Sequence, residues 1–226
     1  MPGPFAGVRV VEAAEGIGGP FTGMLLADRG ADVVKVEPPE GDITRNWGDQ
    51  RYGLSGFYTQ QNAGKRNVCV DLKSEQGPET VRRLADHADV LVENFKPGTL
   101  EKWDLAPDVL HETNPGLVIA RVSGYGQTGP YADRPGFASV GEAMGGLRYI
   151  NGFPDQPPPR MGISLGDTLA GMFAAQGVLM ALYWRDTVGQ GKGQVIDASI
   201  TESCFAMMES ALSEYDNCLL YTSPSP

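Results

Sequence analysis

The sequence contains little cysteine and little histidine, and these shortages exclude several kinds of site. Its three cysteines, Cys69, Cys204 and Cys218, are far apart and form no CxxC pair. Neither a disulfide framework nor a metal site is therefore indicated, and a reduced, cytoplasmic setting is expected. The two histidines, His87 and His111, have no neighbouring residue typical of a catalytic pair.

Positive charge and long hydrophobic runs are also scarce. The 18 Lys and Arg residues are outnumbered by 28 Asp and Glu residues, which gives a formal net charge of -10. Nucleic acid is not expected as a partner, because a phosphate backbone requires a basic surface. The longest apolar stretch, residues 172–184, is broken by Gly and Gln and predicts no membrane span. The N-terminus lacks the basic and apolar regions of a signal peptide.

Strand-like and helix-like segments alternate along the chain, and many of them are separated by the 30 glycines. Strands are predicted at residues 8–14, 31–37, 67–72, 89–95, 116–122 and 194–199. Helices are predicted at residues 20–29, 75–88, 99–103, 107–113, 138–149 and 168–187, and from residue 201. This alternation predicts an α/β fold, with a Rossmann-like, mostly parallel sheet and flanking helices.

Residues 162–171, Gly-Ile-Ser-Leu-Gly-Asp-Thr-Leu-Ala-Gly, place one acid among small neighbours. Asp167 is predicted to lie in a turn just before the helix at residues 168–187. Free N–H groups and the positive dipole end of a helix start would hold its carboxylate ionised, as a nucleophile requires. The alternative interpretation is that Asp167 is only the N-cap of that helix.

A glycine turn follows the first predicted strand and half-matches a dinucleotide-binding fingerprint. Gly16 and Gly18 fit the pattern, and Glu37 stands at the end of the next strand. Phe21, however, occupies the position of the third glycine, where a large side chain would obstruct close contact between helix and strand. NAD binding is therefore disfavoured, whereas a different phosphate-bearing ligand could still bind at this strand end.

Nine segments together resemble the class III coenzyme A transferase family, which includes formyl-CoA transferase and acyl-CoA racemases. They occur in family order at residues 7–11, 26–39, 41–45, 62–67, 70–73, 92–98, 124–130, 166–171 and 189–195. Family members are considerably longer. The resemblance therefore implies that residues 1–217 form an incomplete N-terminal CoA-binding and catalytic domain, truncated before the second domain is complete. Residues 218–226, rich in Ser and Pro, are interpreted as a non-native tail.

The resemblance also implies which residues form the site. Asp167 matches the aspartate that carries the acyl group. Ile17 and Gly18 match the turn against coenzyme A, although formyl-CoA transferase has Gln where Ile17 stands. Arg45 is a candidate to replace an arginine that is absent at Pro38. The other matching residues are Val70, Asp71, Leu72, Lys73, Asn94, Phe95, Lys96 and Lys102 for the nucleotide and pantetheine, and Arg134, Gly136 and Phe137 near the thioester. Each could instead be an ordinary surface or core residue.

The function implied is a CoA-transferase that moves coenzyme A from an acyl-CoA donor to a carboxylic acid through an aspartyl-CoA thioester. No permanently bound cofactor is implied, since the CoA thioester is a substrate, and the expected assembly is an interlocked homodimer. Arg148 or Arg160 would suit the second carboxylate of a dicarboxylate such as succinate.

Two alternatives remain open at this point. One is proton transfer of the 2-methylacyl-CoA racemase kind, which would need a histidine where Phe137 stands. The other is a non-catalytic CoA-binding fragment, because the resemblance places a glycine-rich closing loop beyond the end of this chain.

Overall fold

The computed structural model describes residues 2–217, and a single six-stranded parallel sheet lies at its centre. The strands of the chain are β1 (Arg9–Ala13), β2 (Asp32–Glu37), β3 (Gln50–Arg51), β4 (Leu54–Ser55), β5 (Arg66–Cys69), β6 (Val90–Glu93), β7 (Val118–Ser123) and β8 (Val195–Ser199). The sheet order is β5-β2-β1-β6-β7-β8, all parallel, whereas β3 and β4 form a separate antiparallel hairpin. The predicted α/β class is confirmed.

The strand order reverses between β1 and β6, which are neighbours in the sheet although they are separated in the sequence. Val10 of β1 lies opposite both Val33 of β2 and Val90 of β6. Such an order creates a topological switch point, and ligands of open α/β sheets bind in the crevice outside the carboxyl ends of the strands there. The topology therefore predicts a ligand site at the segments that follow β1 and β6.

Helices cover both faces of the sheet. They are α1 (Gly18–Ala27), α2 (Gly56–Asn62), α3 (Gly77–Ala85), α4 (Thr99–Lys102), α5 (Pro107–Thr113), α6 (Ala138–Met144), α7 (Leu165–Thr187), α8 (Ile200–Phe205) and α9 (Ala211–Asn217), with a 3-10 helix at Ile43–Asn46. The helix predicted over 138–149 ends early, because Gly146 adopts a φ of +94° that continues no helix. The helix predicted from 168 begins at Leu165.

Three hydrophobic clusters form the core. Alternate residues of the strands point to opposite faces, so Val11 packs against α3 and α5 while Val10 packs against α1 and α7. The third cluster joins the first half of α7 to α8, to the ends of β7 and β8 and to the segment after α6, and it includes Ala170, Cys204 and Val122. This third cluster holds the N-terminal end of α7 at the carboxyl edge of the sheet.

The α7 helix is longer than the apolar stretch predicted for it. It has 23 residues and an 18-residue window of mean hydropathy 1.4, so by length and composition alone it could cross a membrane. The expectation of no span was drawn from the 13 residues 172–184, which are only part of this helix. Core helices meet the same criterion, and α7 packs along β7, β8 and α1, so one such helix is weak evidence of a membrane segment.

A buried ion cluster lies beneath the turn that follows β1. The Lys35 ammonium contacts Glu12 Oε1 at 3.0 Å, Asp42 Oδ2 at 2.8 Å and the Ala14 carbonyl oxygen at 2.5 Å. Lys65 completes the cluster through Glu12 Oε2 at 2.7 Å. Asp42 Oδ1 in turn accepts the Gly16 N–H at 3.4 Å. Mutual pairing offsets part of the cost of burying these charges and fixes the turn after β1.

Candidate active site

Asp167 lies inside the first turn of α7, not before it as predicted. The N-cap is Ser164, whose side chain makes no capping hydrogen bond, and Asp167 is the third helical residue. The interpretation of Asp167 as the N-cap is therefore wrong. Within residues 2–217 its half-buried carboxylate accepts no hydrogen bond and forms no ion pair. A carboxylate with no structural partner at the end of a sheet is available to react with a ligand.

The surroundings make Asp167 less acidic than the helix start alone would. Burial and the nearby Glu142 carboxylate raise the pKa of Asp167 to about 6 from 3.8, although Arg160 acts in the opposite direction. Desolvation and a like charge thus outweigh the helix dipole in setting this pKa, although the carboxylate expected to be ionised is still mostly so at pH 7. A carboxylate with a pKa near 6 is roughly nine-tenths ionised at pH 7, and it is a stronger base than an exposed aspartate.

Close packing of α1 against α7 brings the glycine turn to Asp167. A Cβ added to Gly18 would lie 3.6 Å from the Asp167 carbonyl oxygen and 3.0 Å from Val122 Cγ1, and one added to Gly171 would lie 2.8 Å from the Gly18 carbonyl oxygen. Thr22 Oγ1 donates to the Gly18 and Gly171 carbonyls across the same contact. The buried Ile17 directly precedes α1. Glycine is required here because the two backbones nearly touch.

A groove of two adjoining cavities lies outside the switch point, and we call it the strand-end groove. The inner cavity has a volume of about 340 Å³, and five predicted residues line it, namely Val70, Asp71, Leu72, Lys73 and Phe95. Its other lining residues were not predicted, namely Ala13, Ala14, Glu15, Val36, Pro38, Glu40 and Trp103. The outer cavity, of about 450 Å³, shares Leu72, Lys73 and Trp103 with it and adds Lys102 and Arg82. The structure therefore brings the predicted segment 70–73 together with Phe95 and Lys102.

Trp103 is a groove residue that sequence reasoning did not identify. Its ring meets Phe95 edge to face, with 5.2 Å between the centroids, and both line the inner cavity. A pair of aromatic rings beside Lys73 offers an apolar wall and a cation to the same ligand. The sequence signal was weak, because a tryptophan after a short helix is more often a core residue.

Two further predicted residues already have protein partners. The Asn94 amide exchanges hydrogen bonds with the Glu15 backbone, accepting at 3.0 Å and donating at 2.6 Å, so it holds the turns after β1 and β6 together. Arg45 donates to both Glu37 oxygens, at 2.7 and 2.8 Å, and lies over the Tyr58 ring. The Asn94 amide is engaged by these bonds, whereas Arg45 is 37% exposed and pairs with Glu37 through Nε and Nη2 only. Their predicted contacts with coenzyme A stay predictions.

The Glu37 carboxylate also has protein partners, and this matters for the alternative in which the glycine turn binds a dinucleotide. Burial raises the pKa of Glu37, but hydrogen bonds from Arg45 and Tyr58 outweigh it and lower that pKa to about 2. A ribose-binding acid must have a free oxygen for a 2′-hydroxyl. Glu37 has both oxygens engaged, so the structure gives NAD binding no support.

The remaining predicted residues lie at the same edge of the sheet but outside the strand-end groove. Lys96 is exposed after β6. In the loop between β7 and α6, Arg134 stacks on Tyr131 at 4.1 Å, and Gly136 packs against the backbone of Gly124. Phe137 is 67% exposed. Asp167 lines neither cavity, but Gly18, which lies against the Asp167 backbone, follows the same turn after β1 that lines the inner cavity.

A second carboxylate that sequence reasoning missed lies behind Asp167. Glu142, in α6, is fully buried, and its Oε1 accepts the Gly166 N–H at 3.2 Å. This N–H of the α7 start is therefore occupied. A lone glutamate in a helix of small residues carries no sequence signal of such a position. Across residues 2–217, no group of three His, Cys, Asp or Glu side chains is arranged to hold a metal ion.

The fold and the edge of the sheet just described are those of a known enzyme family. The profile of CoA-transferase family III matches residues 5–225, and the chain belongs to this family. The chain is 52% identical over 216 residues to the succinyl-CoA–D-citramalate CoA-transferase of Chloroflexus aurantiacus, covering 95% of this chain and 53% of that protein. It is 40% identical to the succinate–glutarate CoA-transferase of Agrobacterium fabrum, covering 88% of this chain and 51% of that protein.

Solved structures agree with the sequence comparisons. A CaiB/BaiF family protein from Brucella suis superposes with a TM-score of 0.93 at 36% identity, covering 99% of this chain and 60% of that one. The chain spans about half the length of the curated relatives it matches.

Proposed function

We propose that the whole protein transfers coenzyme A from an acyl-CoA to a carboxylic acid through a covalent thioester on Asp167. The observation that carries the proposal is the unpaired Asp167 carboxylate, held beside Gly18 at the carboxyl edge of the sheet with its pKa raised to about 6. Relatives named as CoA-transferases for succinate, glutarate and oxalate support the reaction class.

The proposed reaction has four steps, each of which conserves the energy of the thioester. Asp167 attacks the donor thioester carbonyl and expels the CoA thiolate, which leaves a mixed anhydride. The thiolate attacks the aspartyl carbonyl of that anhydride and releases the donor acid, which leaves aspartyl-CoA. The acceptor carboxylate then attacks aspartyl-CoA and expels the thiolate again. Finally the thiolate attacks the acceptor carbonyl of the new anhydride, so that the new acyl-CoA forms and Asp167 is regenerated.

Mass spectrometry of protein produced from the complete gene tests this mechanism. After incubation with succinyl-CoA, we expect a peptide containing Asp167 to carry coenzyme A, and hydroxylamine to release it. Asp167→Asn should form no adduct and lose at least about a thousandfold in kcat, because the nucleophile is removed. Transfer activity retained in Asp167→Asn would contradict the proposal.

We propose further that the acids transferred are dicarboxylates and that Arg160 binds the distal carboxylate. Arg160 is exposed in the loop before α7, influences Asp167 electrostatically and has no ion-pair partner among the described residues. Arg148, the other candidate, donates to the Pro158 carbonyl at 3.0 Å. The relatives named for succinate, citramalate and glutarate are consistent with this substrate class.

Substrate kinetics test the role of Arg160 independently of the transferase reaction itself. Arg160→Gln should raise KM for succinyl-CoA about 10- to 100-fold, the effect of losing one charge-assisted hydrogen bond. The KM for acetyl-CoA, which has no distal carboxylate, should stay nearly constant. An equal change for both thioesters would remove Arg160 from substrate recognition and leave the transferase proposal intact.

The positions of the histidines favour the transferase over the racemase alternative. His87 follows α3 and His111 lies in α5, and each precedes a strand, so both lie at the amino edge of the sheet. His111 Nε2 is 2.8 Å from the Leu117 carbonyl oxygen. Asp167 lies at the opposite edge, so neither histidine can share a substrate carbon with it. Deuterium exchange at the α-carbon of 2-methylacyl-CoA would support the racemase reading.

The same adduct experiment distinguishes the transferase from a protein that binds coenzyme A without catalysis. A protein that binds coenzyme A in the strand-end groove but forms no Asp167 adduct would be a binder. We propose that the thioester extends from the groove, past the α1 start, to Asp167. Two observations support this path: Lys73 and Lys102 supply cations for phosphates along the groove, and Phe95 and Trp103 supply an apolar wall.

A further inference from the structure

Glu142 is a buried charge that folding alone does not explain. Its side chain is fully buried in α6, and only Oε1 has a hydrogen-bond partner, the Gly166 N–H. Oε2 is buried with no partner, and no ion pair involving Glu142 occurs within residues 2–217. A carboxylate left half-satisfied in the interior costs free energy, and an apolar side chain of the same size would avoid that cost. A role beyond packing is therefore indicated.

The groups around Glu142 converge on the start of α7. Asp167 faces it from α7, and Cys204 faces it from α8, each with its pKa raised in part by the Glu142 charge. Arg160 influences Asp167 from the preceding loop. On the segment after α6, Arg148 donates its backbone N–H to the Glu142 carbonyl at 3.2 Å, and its Nε is buried without a partner. Asp167 is the only one of these groups that loses a negative charge in the proposed reaction.

We propose that Glu142 is a positioning residue that favours the covalent states of Asp167 over the free carboxylate. This inference rests on the proposed function. Repulsion between the two carboxylates destabilises Asp167 only while it is ionised. When Asp167 becomes an anhydride or a thioester it is neutral, and the repulsion disappears. Glu142 thus lowers the free energy of acylation, and by accepting the Gly166 N–H it holds the turn that carries Asp167.

The test compares Glu142→Gln with the wild type in protein produced from the complete gene. Gln keeps an oxygen that can accept the Gly166 N–H and removes only the charge. At a fixed ratio of succinyl-CoA to succinate, we expect the equilibrium constant for the Asp167–CoA adduct to fall about tenfold, because the repulsion that destabilises the ionised Asp167 is lost. The pH midpoint of adduct formation should move to lower pH.

Two further variants keep the test specific. Glu142→Asp retains the charge and should keep the wild-type pH midpoint, even where shortening the side chain reduces stability. Glu202→Gln, an exposed acid in the first turn of α8, makes the same change of charge elsewhere and should alter neither readout. A wild-type midpoint in Glu142→Gln, or the same shift in Glu142→Asp, would overturn the inference alone. A wild type without any adduct would overturn the proposed function as well.

Discussion

At the scale of single residues, Asp167 carries an energetic cost that is visible in the stability of the protein. Its pKa is about 6 in the folded state and near 3.8 when unfolded, so the folded state holds more protons between these values. Stability is therefore lost as pH rises from about 4 to 6. We expect Asp167→Asn to raise the free energy of unfolding at pH 8 by about 1–2 kcal/mol, after allowance for remaining solvent contact.

Chemical denaturation at two pH values measures this effect. The gain from Asp167→Asn should be largest at pH 8 and should disappear below about pH 4, where the wild-type carboxyl is protonated in both states. Asp197→Asn is not a suitable control because its carboxylate accepts the Gln127 N–H. Asp108→Asn, in the first turn of α5, is a better one. A gain that is equal at both pH values would show that the Asp167 charge is not the cause.

Sequence reasoning reached Asp167 but not the details of its surroundings. The small neighbours and the family resemblance identified the residue. Ser164 and Asp167 are three residues apart and both are good caps, so the pattern could not show which of them starts the helix. Glu142 was missed because its effect on Asp167 arises only when α6 packs beside α7. Long-range electrostatics of this kind leave no local pattern.

At the scale of helices and strands, the contact between α1 and α7 sets where Asp167 lies. A Cβ on Gly171 would meet the Gly18 backbone at 2.8 Å, whereas one on Gly177 would meet the Ile196 side chain at 2.8 Å. Both changes to Ala gain the same helix propensity, about 1 kcal/mol. Gly171→Ala must move a backbone, so it should have the lower free energy of unfolding, by about 1–3 kcal/mol relative to Gly177→Ala.

Urea denaturation of the two variants measures the difference, and adduct formation shows its consequence at the site. Because Gly18 lies against the Asp167 backbone, Gly171→Ala should also slow formation of the Asp167–CoA adduct. If Gly171→Ala is as stable as Gly177→Ala, the two helices are not constrained by this contact.

The ion cluster under β1 and β2 gives a second prediction at this scale. Lys35→Met leaves Asp42 without its buried cation, so we expect a loss of about 3–5 kcal/mol in the free energy of unfolding. Arg66→Gln breaks the exposed ion pair with Asp32 on the neighbouring strand and should cost about 0–1 kcal/mol. Thermal unfolding of both variants tests the contrast. Similar losses in the free energy of unfolding would mean that the buried ion cluster is no more important to stability than an exposed ion pair.

The elements found by sequence reasoning are those with a strong periodic or continuous apolar signal. All six strands of the parallel sheet were predicted. The central ones, such as Val118–Ser123, are buried on both faces and are therefore mostly apolar, whereas β5 and β8 at the edges are partly exposed. The hairpin of β3 and β4 and the helix α2 were not. Helix α2, Gly-Phe-Tyr-Thr-Gln-Gln-Asn, has no apolar period, and its start depends on Ser55 accepting the Tyr58 N–H. The 3-10 helix depends on the side chain of Asp42 in the same way.

At the scale of the whole molecule, the outer face of α7 exposes a row of large apolar side chains. Met172, Leu179, Met180 and Tyr183 recur at helical spacing on it, and each is more than half exposed. Contiguous apolar surface of this kind marks an interface. We propose that a second copy of the protein covers it, in line with the homodimer that the family resemblance implies.

Light scattering of protein produced from the complete gene tests this assignment. The wild type should have the mass of two chains. Met180→Glu should shift it toward the monomer, because burying an unpaired carboxylate in the interface costs several kcal/mol. Leu54→Glu, at a similarly exposed position on the hairpin, should leave the mass unchanged. The other occupant that this test distinguishes is another segment of the same polypeptide. In that case the wild type would be monomeric with α7 protected from hydrogen exchange, and the dimer proposal would be wrong.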